Sequence, residues 1–217
     1  MSYAQTARSL IISFLSLLFM ALAPAIAQEP ATPPAATGME ANTTNDGELF
    51  EGKADAPVTI TEYSSFTCPH CASFHTDTYP ELKKKYIDTG KVKMVFRPFP
   101  LEPMAAAASM LAKCAPPEQH FSFVHKLFSE QKNWAYSQSV VDSLMKIWTD
   151  AGFDRESFDK CLKNQKVLDG ILSVKAKATQ ELDINSTPTF DINGEIVRGA
   201  LPFKDFDKLI KSKLAKK

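Results

Sequence analysis

The β signals of this chain stand at its two ends, and that separation constrains the fold more than any other feature. Strand-like runs occur at 58–63 and 92–96 and again after residue 186, whereas 103–183 holds helical blocks and no convincing strand. A single sheet can use all of these strands only if the chain leaves it, builds a helical insertion and returns. In "APVTITEYSSF", Val58, Ile60 and Glu62 fall on one strand face and Thr59, Thr61 and Tyr63 on the other, and in "KVKMVFRPFP" Val92, Met94 and Phe96 alternate. Between these runs Phe74, Leu82 and Tyr86 recur at helical intervals before Gly90, and Pro80 is expected to kink or divide that helix.

The insertion reads as "PMAAAASMLAKC", "FSFVHKLFSEQ", "SVVDSLMKIWTDAG", "DRESFDKCLKN" and "VLDGILSVKAKATQEL", with Gly152 as a helix stop and Asp154 as an N-cap. The returning segment, "STPTFDINGEIVRG", carries the two-residue hairpin signal Asn193-Gly194. Phe203, Phe206, Leu209, Ile210 and Leu214 then mark one face of a last helix. No internal repeat is visible.

Residues 1–27 have the layout of a secretory signal peptide: a cation at Arg8, an apolar run from Leu10 to Ala23, and small residues at Ala25 and Ala27. Cleavage is expected between Ala27 and Gln28. The rival reading, an uncleaved anchor, needs about 20 apolar residues, more than this run supplies. Residues 28–48, rich in Pro, Ala and Thr without apolar period, are expected to be a flexible linker. The leader takes only Arg8 from a formally neutral chain, so no global field favours nucleic acid. The six lysines of "KDFDKLIKSKLAKK" fit the solvent face of an amphipathic helix.

All four cysteines, Cys68, Cys71, Cys114 and Cys161, follow the expected cleavage point and so face an oxidising compartment. Cys68 and Cys71 form a C-x-x-C in "SSFTCPHCASF". Structural zinc would call for a second close pair, and the other cysteines stand alone; covalent haem would need a histidine where Ala72 stands. A purely structural bridge around two residues would constrain little chain entropy. Redox chemistry accounts for more. With a strand ending near Phe66, Cys68 falls at a helix start and Pro69 in the first turn, where its missing N–H costs nothing. There the thiol of Cys68 meets unpaired amides and the positive end of the helix dipole, and His70 can add charge or a hydrogen bond. A stabilised thiolate favours the reduced pair and makes the disulfide a stronger oxidant, with Cys71 as the resolving thiol.

Two further positions belong to this reading. Thr187-Pro188 is a candidate cis bond that would present a backbone edge, although most X-Pro bonds are trans and the residues alone leave it open. Glu62, on the face of Val58 and Ile60, could be an interior acid that shuttles the Cys71 proton or a polar residue at an exposed strand end.

Together "EYSSFTCPHC", "STPTF", "DINGE" and the helical insertion resemble the secreted DsbA-like thiol:disulfide oxidoreductases of the thioredoxin superfamily, over residues 49–217. The resemblance implies an α/β thioredoxin fold, a central mixed β-sheet flanked by helices, formed by 49–102 and 184–217, with an inserted α-helical domain at 103–183. It implies Cys68 as nucleophile, Cys71 as its partner, His70 as the tuning residue, Pro188 as a cis-proline and Glu62 as the acid beneath the site. It also implies unfolded secreted proteins as substrates, a DsbB-like membrane quinone reductase as reoxidising partner, a periplasmic location, and action as a monomer. Neither cofactor nor metal is expected beyond the redox-active disulfide. Cys114 and Cys161 resemble the second disulfide of one branch of these proteins, which would close a loop that the chain-entropy model credits with roughly 4 kcal/mol; two separate buried thiols are the alternative. The family's best-known oxidases carry valine where this chain has Thr187, and several isomerases carry threonine. A disulfide isomerase or reductase is therefore the second reading, and a redox-silent metal- or peptide-binding module the third. His120 and His125 read as surface or packing residues of a helix, and nothing in the spacing recruits His75 or His120 as a ligand.

Overall fold

The computed structural model describes residues 42–44 and 47–216. The leader expected over 1–27, its cleavage point and most of the linker expected over 28–48 lie outside them. Backbone contacts begin before Leu49: Thr43 bridges Leu49, and Phe50 N donates to Asn42 O at 2.9 Å.

Five strands form one mixed sheet: β1 (Phe50–Gly52), β2 (Val58–Ser64), β3 (Val92–Pro98), β4 (Thr189–Ile192) and β5 (Glu195–Arg198), in the order β1-β3-β2-β4-β5. Only β2 and β3 are parallel, with Ile60 opposite Met94 and Glu62 opposite Phe96. That parallel pair needs a crossover, and a helical run supplies it: α1 (Pro69–Ser73), a π-helical turn (Phe74–Thr78), α2 (Tyr79–Leu82) and a second π-helical turn (Lys83–Ile87). Pro80 in the first turn of α2 cannot donate to the turn before it, and the wider π turn takes up that lost bond. The run is modulated, not broken, at the proline.

β2 lies centrally and is buried on both faces, because helices cover both sides of the sheet. Val58 and Ile60 pack with Phe74, Leu82, Phe190 and, from α9 (Phe203–Leu214), Phe206 and Ile210. Fully burying a side chain such as Phe206 or Ile210 contributes about 1.5–3 kcal/mol. On the other face Tyr63 packs with Phe99, Ala178 and Ile184. The β4–β5 hairpin turns at Asn193 and Gly194, both at positive φ (49° and 84°), and Asn193 Oδ1 accepts from Thr59 N at 2.7 Å, tying the turn to β2.

The insertion consists of α3 (Pro103–Cys114), α4 (His120–Ser129), α5 (Gln131–Trp134), α6 (Val140–Asp150), α7 (Arg155–Leu162) and α8 (Gln165–Leu182), with a 3₁₀ turn at Pro117–Gln119. Asp154 caps α7 by accepting from Ser157 N at 2.6 Å, and Asn164 caps α8. The core built around Trp134, Trp148, Phe123 and Phe158 continues into Phe66, Cys68 and Cys71. The C-x-x-C turn is thus part of the seam between insertion and sheet. Cys114 and Cys161 are joined in a disulfide between α3 and α7, with Cα atoms 6.1 Å apart. Among the described residues no helix is long and apolar enough to cross a membrane.

Candidate active site

β2 delivers the chain to Ser64, and after a short turn Cys68 takes the N-cap position of α1 in extended conformation (φ −76°, ψ 119°), with Pro69 at the first helical position. No side chain caps this helix, which leaves its first amides free to face the sulfur. Both thiols are free; Cys68 is 7 % exposed and Cys71 not at all. The Thr187–Pro188 peptide bond is cis, and Thr187 O accepts from Cys68 Sγ at 3.4 Å. Pro188 is buried and hands the chain directly to β4.

The two sulfurs have opposite acidities. The hydrogen bond from the Cys71 thiol is the strongest influence on Cys68 and stabilises its thiolate; burial opposes it, but the Thr187 hydroxyl and the backbone amides of Cys71 and His70 add to the lowering, and Cys68 is held down to about 5. Thr187 Oγ1 is buried and has no hydrogen-bond partner, so it is available to the thiolate. His70 acts here through its backbone amide, while its side chain is exposed. Burial pushes Cys71 strongly up, reinforced by the Cys68 thiolate and by the negative charge of Glu62. At neutral pH the pair therefore holds one thiolate, outermost, and one thiol, innermost.

Glu62 is fully buried, and its carboxylate meets His75 Nε2 at 3.0 and 3.1 Å. His75, four residues after Cys71, is the next residue on that helix face. Its ring stacks on Phe128 with centroids 4.0 Å apart, and its Nδ1 lies 3.0 Å from His125 Nδ1 on α4. His125 therefore does more than pack, in contrast to the expectation from sequence. His120 is buried and bonds the Ala112 carbonyl at 2.8 Å, a satisfied core histidine whose burial lowers it to about 4. Sequence reasoning also missed Gln131, whose buried Nε2 donates to Phe66 O at 2.7 Å and Cys68 O at 2.9 Å. The i, i+4 spacing from Cys71 was a usable signal for His75; for Gln131 the sequence carries none. Among the described residues no group of three or more His, Cys, Asp or Glu side chains is arranged to hold a metal ion.

Residues 44–212 match the protein-family model described as Thioredoxin. The crystal structure of Wolbachia pipientis alpha-DsbA1 superposes with a TM-score of 0.75 at 30 % identity, covering 80 % of this chain and 94 % of that one. BdbD from Bacillus subtilis, in its oxidised form, shares the fold with a TM-score of 0.70 at 22 % identity, covering 81 % of this chain and 97 % of that one. A Rickettsia conorii protein named "Putative protein-disulfide oxidoreductase" is 36 % identical over 154 residues, which are 69 % of this chain and 54 % of that protein. The chain spans little more than half the length of that relative. On this evidence the chain belongs to the thioredoxin family. Within it, the helical insertion and the similarity to alpha-DsbA1 place it among the DsbA-like proteins.

Proposed function

We propose that the chain is a thiol:disulfide oxidoreductase that donates its Cys68–Cys71 disulfide to newly secreted proteins in the periplasm. The observation that carries this reading is the placement of the two sulfurs, Cys68 at the uncapped start of α1 beside Thr187 O and Cys71 fully buried behind it, which holds Cys68 low and pushes Cys71 up. A substrate thiolate attacks Cys68 Sγ, the Cys68–Cys71 bond breaks, and Cys71 leaves and takes up a proton. A second substrate thiolate then attacks its own sulfur in the mixed disulfide and expels Cys68 as a stable thiolate. The substrate's two thiols become a disulfide, and the two electrons stay on the reduced pair. Because the leaving group is the more acidic thiol, the second step is downhill.

The Pro188 segment, adjoining Cys68 through Thr187, supports a substrate backbone docked along that edge. Pro69 and His70 shape the turn, the pair itself serves in place of a cofactor, and a DsbB-like quinone reductase is the expected source of reoxidation. Redox equilibrium with glutathione tests the reading: an oxidase equilibrates as a stronger oxidant than glutathione disulfide, and a pair that is harder to reduce rejects it. Thr187 favours a second reading, isomerase or reductase, since its hydroxyl is among the groups that lower the Cys68 thiol. Faster rescue of scrambled ribonuclease than oxidation of reduced ribonuclease would select that reading.

A further inference from the structure

The thiol chemistry proposed above moves a proton on and off Cys71, which has no exposure to solvent. From Glu62, whose charge acts on Cys71, a line of polar groups leads outward across four elements. Glu62 on β2 meets His75 in the helical run; His75 Nδ1 meets His125 Nδ1 on α4; and His125 Nε2 faces Glu51 Oε2 on β1 at 3.8 Å. The inner members of this line are buried, with side-chain exposures of 0 % at Glu62 and 3 % at His75, and its outer members reach solvent, at 27 % for His125 and 20 % for Glu51. Tyr79 OH also donates to Glu51, and Lys83 Nζ pairs with it at 3.0 Å.

We propose that His75 and His125 form a proton relay connecting Glu62, beneath the Cys68–Cys71 pair, with the surface at Glu51. This rests on the thiol:disulfide reading of the pair. Two imidazole nitrogens 3.0 Å apart can share only one proton, so the link has two senses and a proton arriving on one side displaces one on the other. In the charged state His75 carries both of its protons, one towards Glu62 and one towards His125, and the His125 proton sits on Nε2. When Glu62 accepts the Cys71 proton, His75 passes its Nδ1 proton to His125, and His125 releases its Nε2 proton at Glu51. One proton enters, one leaves, and both histidines end neutral. The reverse sequence supplies the proton that Cys71 needs when it is the leaving group.

The rings are held for this task. Phe128 stacks on His75 at 4.0 Å, and Tyr79 lies 4.2 Å from the His125 ring, so neither imidazole is free to turn its nitrogens away. His125 Nε2 is buried without a hydrogen-bond partner within reach, an N–H directed at the Glu51 carboxylate 3.8 Å away. Burial lowers His125, consistent with a neutral ring that receives and releases a proton without trapping it. The groups facing the pair are Glu62, Glu51, Tyr79 and Lys83, with His120 on the same helix.

The test uses reduced full-length protein mixed with excess oxidised glutathione. Cys68 thiolate forms a glutathione mixed disulfide, after which Cys71 must lose its proton to displace glutathione thiolate, giving the protein disulfide. The second phase, independent of glutathione concentration, reads the relay. In His125→Phe, which keeps an aromatic ring and removes both nitrogens, this phase is expected to slow on the order of 10- to 100-fold, within the range of general acid–base catalysis. The first phase should be unchanged, and added imidazole should restore the second. His75→Gln and Glu51→Gln supply the same comparison if the first variant does not fold. A second phase at the wild-type rate, or a slowed one that imidazole leaves slow, overturns the relay alone. Wild-type protein that forms no mixed disulfide overturns the relay and the proposed function together.

Discussion

Gln131 holds the Cys68 carbonyl from outside the sheet: one side-chain amide, carried by the helical insertion, donates to Phe66 O and Cys68 O at 2.7 and 2.9 Å. Both acceptors are buried, and a leucine supplies no donor in place of the amide. Gln131→Leu should therefore cost about 1–3 kcal/mol of unfolding free energy, measured by urea denaturation of the reduced protein. The turn that aims the amides of α1 at the sulfur is loosened as well, so the Cys68 titration should move upward from about 5.

Thiolate absorbance near 240 nm should titrate with a midpoint near 5 in wild-type protein and vanish in Cys68→Ser. An ordinary cysteine ionises at about 8.5, and linkage fixes the consequence for stability. The stabilisation that the thiolate gives the reduced fold is fully present at about pH 8.5 and is lost as pH falls through about 5. Above that range Cys71, kept protonated by burial, favours the unfolded chain instead. Denaturation of the reduced protein should show stability rising from about pH 5 to a maximum near pH 8.5 and falling above it; a flat profile contradicts it.

Thr187→Val removes the one side-chain hydroxyl that helps hold the Cys68 thiolate and replaces it with a methyl of similar size. Cys68 should titrate above its wild-type midpoint, and the protein disulfide should become less oxidising against glutathione. A downward shift would show that the hydroxyl does not donate to the sulfur.

The Cys114–Cys161 bridge closes a long loop between α3 and α7. In the chain-entropy model its removal in a Cys114→Ser/Cys161→Ser double variant should cost roughly 4 kcal/mol, seen as a lowered urea midpoint. The Cys68 midpoint should stay near 5, since neither bridging sulfur is among the groups that set it.

What could be read from the residues divides along the range of the interactions. The alternation over β2, the Asn193-Gly194 turn, the Asp154 cap and the apolar stripe of α9 are local, and each stands in the structure where the pattern put it. The C-x-x-C at a strand-to-helix junction is local too. β1 has three residues and owes its existence to pairing with β3, so no pattern announced it. Gln131 and His125 are polar residues in helices that look solvated until the insertion folds against the sheet; their partners lie 63 and 50 residues away. Glu62 was ambiguous for the same reason, because its partner His75 comes from the crossover run and meets it only once that run packs on β2.

The bridge between Cys114 and Cys161 fastens the insertion to itself, and beyond the two chain connections it leaves the junction with the sheet without a disulfide. That junction is maintained by Gln131 over the turn, by the two imidazoles, and by Phe66 against Phe128. Any breathing of the insertion away from the sheet would part His75 from His125 and lift Gln131 off the Cys68 turn in a single movement.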